Sequence, residues 1–406
     1  MAEVATAAGG LEESPAAISP APAVAPPPGS PRFPLVDSLR AVAALAVLVG
    51  HVAGAAHITV LYWWGPLFAN GDQGVTVFFI LSGFLLYRPL VSARLGGAPR
   101  PPWRDYARRR LLRIVPAYWL ALTVLAIYPG LPGVFTSHWW YYYFFAQVYN
   151  HNLSIGGIVV AWSLCVEVSF YLLLPFYASA LERATARLDR VARVRLELAV
   201  LALLGTASLV LRYLDRAFPI TLPIYMQWFA LGMGLALVSA AWPDHTERRR
   251  PRILELIAAR SGLCWLAAGA LYVALCVLLG KPPAAGYSNL KEVLVNRLLG
   301  GVIALCLVLP AVFGDGRGGL PRRVMALPGL AWLGLISYGI YLWHLNLLEL
   351  IAGHVTVHGN SGTVAFAVLL IATGLAAVAI AAASYYVVER RLLRFKSARA
   401  LGAGRR

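Results

Sequence analysis

Long apolar runs are the feature that most constrains how this chain can fold. A helix needs about twenty predominantly apolar residues to cross a hydrocarbon core about 30 Å thick. A soluble domain carries about 25% charged residues, whereas this chain has 13% charged and 59% hydrophobic residues. The sequence therefore predicts an all-α, polytopic transmembrane bundle of about ten helices. The predicted spans are residues 35–57, 71–90, 111–128, 158–180, 196–214, 219–242, 261–280, 295–313, 328–353 and 363–388.

The basic residues indicate how the bundle is oriented. With the N-terminus in the cytoplasm, 30 of the 35 Lys and Arg residues fall in inner loops, helix starts and tails, as the positive-inside rule requires. The five on the opposite side are Arg212, Arg216, Lys281, Lys291 and Arg297. We therefore expect a multi-pass protein of a bacterial cell (inner) membrane with both termini cytoplasmic. Topology accounts for the net charge of +17, so no nucleic-acid partner is predicted.

Three regions divide the chain. Residues 1–33 are rich in Ala and Pro and lack an apolar core, so we expect a disordered cytoplasmic tail rather than a signal peptide. Residues 34–396 form the predicted transmembrane domain, and residues 397–406 form a basic C-terminal tail. The four cysteines fall in apolar spans with no histidine at metal-ligand spacing. We expect them to be small buried apolar side chains, and no metal site is predicted.

The first span carries two ionisable side chains, Arg40 and His51. A charge near the centre of a transmembrane helix costs about 2.5–3.5 kcal/mol on insertion scales, so such residues usually face the bundle interior and mark function. Eleven residues at about 100° each amount to three turns plus about 20°, which places both side chains on one helical face, about 16 Å apart. This face therefore places ionisable side chains at two depths that together span about half of a membrane's hydrocarbon core.

Further polar residues lie within the fourth and ninth spans. By helical rise, Glu167 lies about 13 Å and His51 about 9 Å below the outer surface, so the two could meet across helices. Tyr338, Tyr341 and His344 recur at three-residue steps and should face the bundle interior. The alternative interpretation of His344 is a structural histidine that bonds a neighbouring helix. Spans five to eight show no pattern that predicts chemistry, and we expect them to be scaffold.

The inner loop before the third span, between Arg88 and Arg113, is the densest basic segment of the chain. One interpretation is ordinary topogenic charge that also favours anionic lipid. The other is that Arg110 and Arg113, three residues apart on a helix that enters the membrane, bind phosphates of a cytoplasmic ligand. The outer loop at residues 137–152 is rich in aromatic residues, which is typical of an interfacial belt and also suits stacking against a sugar ring.

Five short motifs occur in order along the chain. The first is a basic residue followed, after ten residues, by histidine, here Arg40 and His51. The others are VFFILSGFLL in the second span, RRLLRIVPAYW at the third, WSLCVEVSFYLLLP in the fourth and ISYGIYLWH in the ninth. Together they resemble the acyltransferase 3 family, the polytopic membrane O-acyltransferases that modify surface sugars and some secreted products. Departures from the family pattern are Thr76, where Asp is common, and Val168 and Ser169, where Glu-Gln is common.

The resemblance implies transfer of an acyl group from cytoplasmic acyl-CoA, in particular acetyl-CoA, to a hydroxyl of a sugar or another extracytoplasmic or secreted acceptor. Acyl-CoA is then a donor substrate, and no bound cofactor is implied. His51 would be the general base, since a neutral imidazole can accept a hydroxyl proton near neutral pH, and Glu167 would orient its ring. The implied donor-binding residues are Arg40, Arg110 and Arg113. The possible site lining comprises Ser82, Trp162, Ser163, Tyr338, Tyr341 and His344.

A function of another class stays open at this point. It is a multi-pass transporter or flippase in which His51, Glu167 and His344 form a polar relay. The sequence shows no inverted repeat and no matched pair of broken helices, the features that favour a transporter. Consumption of labelled acyl-CoA by membranes that contain the protein would discriminate between the two classes.

Overall fold

A computed structural model describes residues 33, 35–214, 220–242, 251–280, 293–313, 319–355 and 362–393. These residues are mostly helical, and no β-strand occurs among them. Ten of their helical segments are long and apolar enough to cross a membrane, which confirms the predicted all-α, polytopic bundle. The predicted tails at residues 1–33 and 397–406 lie outside the described residues, apart from Phe33.

The ten spanning helices are numbered in chain order. They are α1 (Leu35–Ala55), α2 (Gln73–Gly96), α3 (Trp103–Leu125), α4 (Trp162–Ala184), α5 (Arg190–Leu214), α6 (Leu222–Ala241), α7 (Ser261–Leu279), α8 (Val295–Phe313), α9 (Pro328–Val355) and α10 (Thr363–Ser384). Consecutive spans run in opposite directions across a membrane. One end of the bundle therefore gathers the starts of odd-numbered helices and the ends of even-numbered ones. We call this the near end and its opposite the far end.

Two basic segments continue their helices beyond the predicted spans. α3 begins at Trp103 rather than near residue 111, and α5 begins at Arg190 rather than near residue 196. Arginine is a good helix former, and its charge is costly in hydrocarbon, so a basic stretch beside an apolar span extends the helix out of the bilayer. Arg110 and Arg113 consequently lie on one continuous helix that enters the membrane from the near end.

α2 and α6 are the most buried helices of the bundle. Gly83 of α2 lies against the backbone of Phe229 in α6, and Gly232 of α6 lies against the backbone of Ile80 in α2. A Cβ atom added at Gly232 would lie only 2.9 Å from the backbone nitrogen of Phe84. Small residues allow membrane helices to approach closely and gain packing. This crossing holds α2 at the centre of the molecule.

α1 packs mainly against α9, and it also contacts α2. Gly334 of α9 lies against the backbone of Asp37 in α1, and Gly339 lies against Ala381 of α10. The absence of side chains at these two glycines lets α9 fit between α1 and α10. α5, α7 and α10 are the least buried spans, which is consistent with a lipid-facing rim.

A buried polar cluster joins α2 to α5 at the near end. Glu197 is 1% exposed and accepts hydrogen bonds from the Tyr87 hydroxyl and from the Arg94 guanidinium. Arg94 also donates to the Tyr87 hydroxyl oxygen at 3.4 Å. A buried charge must be paired to be tolerated, and here each partner comes from the neighbouring helix. The cluster therefore attaches the peripheral α5 to the central α2.

Candidate active site

A cavity lies among α1, α2, α3, α4 and α9. Three arginines line it, Arg40 from α1 and Arg110 and Arg113 from α3, and we call it the arginine cavity. Its other polar lining residues are Ser82, Ser163, Glu167, Tyr171, Tyr338 and Tyr341. The fold thus collects in one place polar residues that are far apart in the sequence.

The three arginines form no salt bridge with a carboxylate in the part of the chain that the structure describes. The Nε atoms of Arg40 and Arg110 are buried without a hydrogen-bond partner there. Glu167 shares the cavity, but it accepts its hydrogen bond from Ser82. Guanidinium groups bind phosphate and carboxylate through charge-assisted, often bidentate hydrogen bonds. The cavity is therefore suited to an anionic ligand.

Hydrogen bonds hold two tyrosines of α9 in the cavity wall. Tyr338 donates to the carbonyl oxygen of Ile114 in α3 at 3.0 Å. The Tyr341 hydroxyl lies 2.8 Å from Ser163 Oγ of α4 and donates to the carbonyl oxygen of Val160 at 3.1 Å. Both rings thus project into the bundle, as their three-residue spacing predicted. They also join α9 to α3 and α4 around the cavity.

His51 and His344 form a pair between α1 and α9. His51 Nδ1 lies 3.0 Å from His344 Nε2. His344 is completely buried, and its Nδ1 lies 2.7 Å from the carbonyl oxygen of Tyr341 and 3.2 Å from that of Ile340. The ring of Tyr341, which lines the arginine cavity, has its centroid 5.8 Å from that of His344. His344 therefore lies directly behind the cavity wall, with His51 beside it.

The carbonyl partners determine which histidine nitrogens carry protons. A carbonyl oxygen can only accept, so His344 Nδ1 is the donor, and Nε2 of the neutral ring is an acceptor. His51 Nδ1 is then the donor of the bond between the two rings. This arrangement leaves Nε2 of His51 unprotonated in the neutral pair. An unprotonated ring nitrogen is what a general base requires.

A second cavity lies at the far end of the bundle, and we call it the far cavity. Its lining consists of Asp72, Gln73, Val75, Thr76, Trp162, Arg212, Tyr225, Trp228, Val293, Asn296 and Arg297. These residues come from the starts of even-numbered helices and from the end of α5. Val75 lines both cavities, so the two cavities adjoin at α2.

The family model described as an acyltransferase domain matches residues 34–385. The chain belongs to this acyltransferase family. Together with the ten spans, family membership makes the protein a multi-pass membrane O-acyltransferase, as the five motifs predicted. A comparison with solved structures finds no match.

The acyltransferase is similar to three bacterial proteins. It is 30% identical to the exopolysaccharide production protein ExoZ of Rhizobium meliloti, over 84% of this chain and 95% of ExoZ. It is 24% identical to the peptidoglycan O-acetyltransferase OatA of Listeria monocytogenes, over 78% of this chain and 49% of OatA. The O-acetyltransferase OatA of Staphylococcus aureus is 22% identical, over 89% of this chain and 57% of OatA. The chain thus spans nearly all of ExoZ and about half of each OatA protein.

Most of the predicted site residues of the acyltransferase lie together. The arginine cavity contains Arg40, Ser82, Arg110, Arg113, Ser163, Glu167, Tyr338 and Tyr341. Trp162 lines the far cavity instead, His344 lies behind the wall at Tyr341, and His51 contacts His344 without lining either cavity. The expected contact between His51 and Glu167 does not occur, because α1 packs against α9 and brings His51 onto His344.

Of spans five to eight, which the sequence predicts to be scaffold, three contribute to the lining of the far cavity. Arg212 of α5, Tyr225 of α6 and Arg297 of α8 all line the far cavity. A signal for this was present in the sequence, since Arg297 is a charge inside an apolar span, the same anomaly that marked Arg40. In the predicted topology, Arg297 is one of the five basic residues on the outer side.

Proposed function

We propose that this acyltransferase moves an acyl group from cytoplasmic acyl-CoA to a hydroxyl of a carbohydrate on the other side of the membrane. The observation that carries the proposal is the convergence of Arg40, Arg110 and Arg113 on one cavity. These arginines enter the cavity from the near-end halves of α1 and α3, and the distribution of basic residues predicts that the near end is cytoplasmic. The names of the relatives, an exopolysaccharide production protein and a peptidoglycan O-acetyltransferase, support a carbohydrate acceptor and an acetyl group.

The arginine cavity would hold the donor. The phosphates of CoA need cationic partners, and Arg110 and Arg113 offer two guanidinium groups one turn apart on α3. Each hydrogen bond to a charged group contributes about 1.5–3 kcal/mol. Apolar lining residues such as Phe78 and Leu85 suit the pantetheine arm and the acyl chain. This placement favours ligand binding over a purely topogenic role for the two arginines.

His51 would act as the general base through Nε2, with His344 as a positioning residue. A positioned general base contributes about 10²–10⁴-fold to a rate. The ring pair supports this assignment because it fixes His51 in the tautomer that can accept a proton. Glu167 contacts Ser82 rather than His51, so its proposed role moves from orienting the ring to positioning the donor among the arginines.

The proposed step is a direct exchange at the thioester. The acceptor oxygen attacks the carbonyl carbon, a C–O bond forms and the C–S bond breaks. The hydroxyl proton passes through His51 Nε2 to the departing CoA thiolate. The products are an acylated acceptor and CoA with a free thiol, so atoms and charge balance.

Proteoliposomes that contain the purified protein test this function. We expect consumption of radiolabelled acetyl-CoA when extracted cell-surface polysaccharide is supplied, with label recovered on the polysaccharide. His51→Ala should abolish this transfer. His354→Ala is the matched control, because His354 is an exposed histidine at the end of α9, and it should transfer normally.

The opposite outcomes are distinct. Folded wild-type protein that leaves acetyl-CoA intact with every acceptor supplied would contradict acyl transfer. Wild-type turnover by His51→Ala would contradict the general-base role alone. Uptake of a solute without acetyl-CoA consumption would favour the transporter class instead.

A further inference from the structure

Three aromatic rings form a continuous wall in the far cavity. The ring centroids of Trp162 and Tyr225 are 5.2 Å apart, and those of Tyr225 and Trp228 are 5.6 Å apart. Aromatic side chains present large, stiff apolar surfaces with polar edges. The apolar face of a sugar ring fits such a wall, while its hydroxyl groups need polar partners around the edge.

Cationic side chains outnumber acidic ones among the lining residues of the far cavity. Arg297 is 8% exposed, and its guanidinium carbon lies 4.5 Å from the Tyr225 ring centroid and 4.9 Å from that of Trp228. Arg212 lines the same cavity. Asp72 is the acidic lining residue. A recessed site with excess positive charge is costly unless an anion occupies it.

A buried amide in the same cavity has no partner in the described chain. Asn296 is 7% exposed, and its Nδ2 makes no hydrogen bond with the described residues. An unsatisfied buried donor is destabilising, and a ligand oxygen would satisfy it. Asn296 lies in the π-helical turn Val295–Leu299 at the start of α8. Such turns are frequent at functional sites.

We propose that the far cavity binds the acyl acceptor, and that this acceptor is an acidic carbohydrate, a sugar unit that carries a carboxylate or a phosphate. The aromatic wall takes the sugar ring, Arg212 and Arg297 take the anion, and Asn296 takes a hydroxyl or ring oxygen. The assignment as acceptor rests on the proposed acyl transfer. The binding of an acidic sugar rests on the cavity alone.

The position of the far cavity relative to the donor supports the assignment. Val75 borders both cavities, and the ring of Phe79 in the arginine cavity has its centroid 6.3 Å from that of Trp162 in the far cavity. An acceptor in the far cavity therefore lies across a thin partition from a donor in the arginine cavity. Each substrate reaches the partition from its own side of the membrane.

Equilibrium dialysis of the full-length protein in lipid nanodiscs tests the binding without any donor. The radiolabelled probes are three glucose derivatives that differ in charge: methyl glucuronide carries a carboxylate, glucose 1-phosphate carries a phosphate and methyl glucoside is neutral. We expect at least one acidic probe to bind about tenfold or more tightly than methyl glucoside, with the preference reduced by salt. Comparison of the two acidic probes shows whether the site prefers a carboxylate or a phosphate.

Two variants and a matched control assign the binding to the far cavity. Arg212→Gln should lose most of the preference for the acidic probe, and Trp162→Ala should weaken every probe, because stacking does not depend on charge. Arg195→Gln is the control. It removes the same charge from an exposed position on the same helix, about 26 Å away by helical rise, and should bind as the wild type does.

Three results would overturn the proposal. The first is that methyl glucoside binds as tightly as both acidic probes. The second is that Arg212→Gln binds the acidic probes as the wild type does. The third is that Arg113→Ala loses acidic-probe binding while Arg212→Gln keeps it. Dialysis with acetyl-CoA on the same samples separates the two proposals. Failure to bind or turn over acetyl-CoA, with acidic-sugar binding intact, would contradict the acyl-transfer function and leave the acidic-sugar site standing.

Discussion

At the scale of single residues, the histidine pair predicts a difference between two variants. His344→Leu removes the acceptor for His51 Nδ1, whereas His344→Gln places an amide oxygen in reach of it. We expect His344→Leu to lower kcat by about tenfold or more, as part of the about 10²–10⁴-fold that a general base contributes. His344→Gln should recover part of the loss, because it again holds His51 Nδ1 as a donor.

The pH–rate profile distinguishes positioning from packing. A base works only while it is unprotonated, so the rate should fall on the acid side as His51 gains its proton. His344→Leu should displace this acid limb relative to the wild type, because His51 loses its ring partner. If the acid limb of the pH–rate profile of His344→Leu matched that of the wild type and only its thermal stability fell, His344 would be a packing residue.

The donor-binding arginines predict an effect on affinity rather than on chemistry. Arg113 lines the arginine cavity, while Arg109 lies on the same helix and is exposed. We expect Arg113→Ala to raise the KM for acyl-CoA by about tenfold or more, with a smaller change in kcat. Arg109→Ala removes the same charge and should leave the KM near the wild-type value. If both substitutions changed the KM equally, the result would support a purely topogenic role for Arg113.

At the scale of elements, the cluster that joins α5 to α2 predicts a large loss of stability. Glu197→Ala leaves the buried Arg94 guanidinium and Tyr87 hydroxyl without their shared acceptor. Breaking a buried pair in this way costs about 3–5 kcal/mol. Glu182→Ala is the control, because its bond to Arg100 is exposed and such pairs contribute about 0–1 kcal/mol. Unfolding in mixed micelles with increasing SDS measures both, and a Glu197 variant as stable as Glu182→Ala would refute the structural role.

The helices themselves could be predicted, whereas their partners could not. Apolar length is a local property, so the ten spans follow from the sequence within a few residues. α3 and α5 begin earlier than predicted, because an apolar pattern marks only the part of a helix that lies in hydrocarbon, and the basic turns outside it carry no apolar signal. The His51–His344 contact depends on the close fit of Gly334 against the backbone of Asp37, which no single span reveals.

The far cavity escaped prediction for a related reason. α2, α4, α5, α6 and α8 all contribute to it, so no helix shows a polar stripe of its own. The arginine cavity was easier to predict, because Arg40 and His51 share one face, and Arg110 and Arg113 lie one turn apart. Clusters within one helix leave a periodic signal, whereas clusters assembled between helices do not.

At the scale of the whole molecule, the proposed orientation predicts which loops a reagent can reach. Ala98 lies in the exposed turn between α2 and α3, and Asn152 lies in an exposed turn before α4. Each can be replaced by a single cysteine, as Ala98→Cys or Asn152→Cys. In a background without the four free cysteines, Asn152→Cys should react with an impermeant thiol reagent in intact cells. Ala98→Cys should react only after permeabilisation. The reverse pattern would place the arginine cavity outside the cell and exclude a cytoplasmic donor.

The shared position of Val75 between the two cavities has an electrical consequence. A membrane potential is concentrated across the thinnest insulating layer between two solutions, and here Val75, which borders both cavities, belongs to that layer. In the proposed transfer, the hydroxyl proton starts in the far cavity and ends on the CoA thiol in the arginine cavity, while the acyl group passes the other way. The acceptor and CoA therefore keep their charges and no net charge crosses the potential, where one charge would be worth about 2.3 kcal/mol per 100 mV. An inside-negative potential imposed with potassium and valinomycin should leave turnover in proteoliposomes unchanged, and a rate that depends on the voltage would mean that a proton crosses without the acyl group.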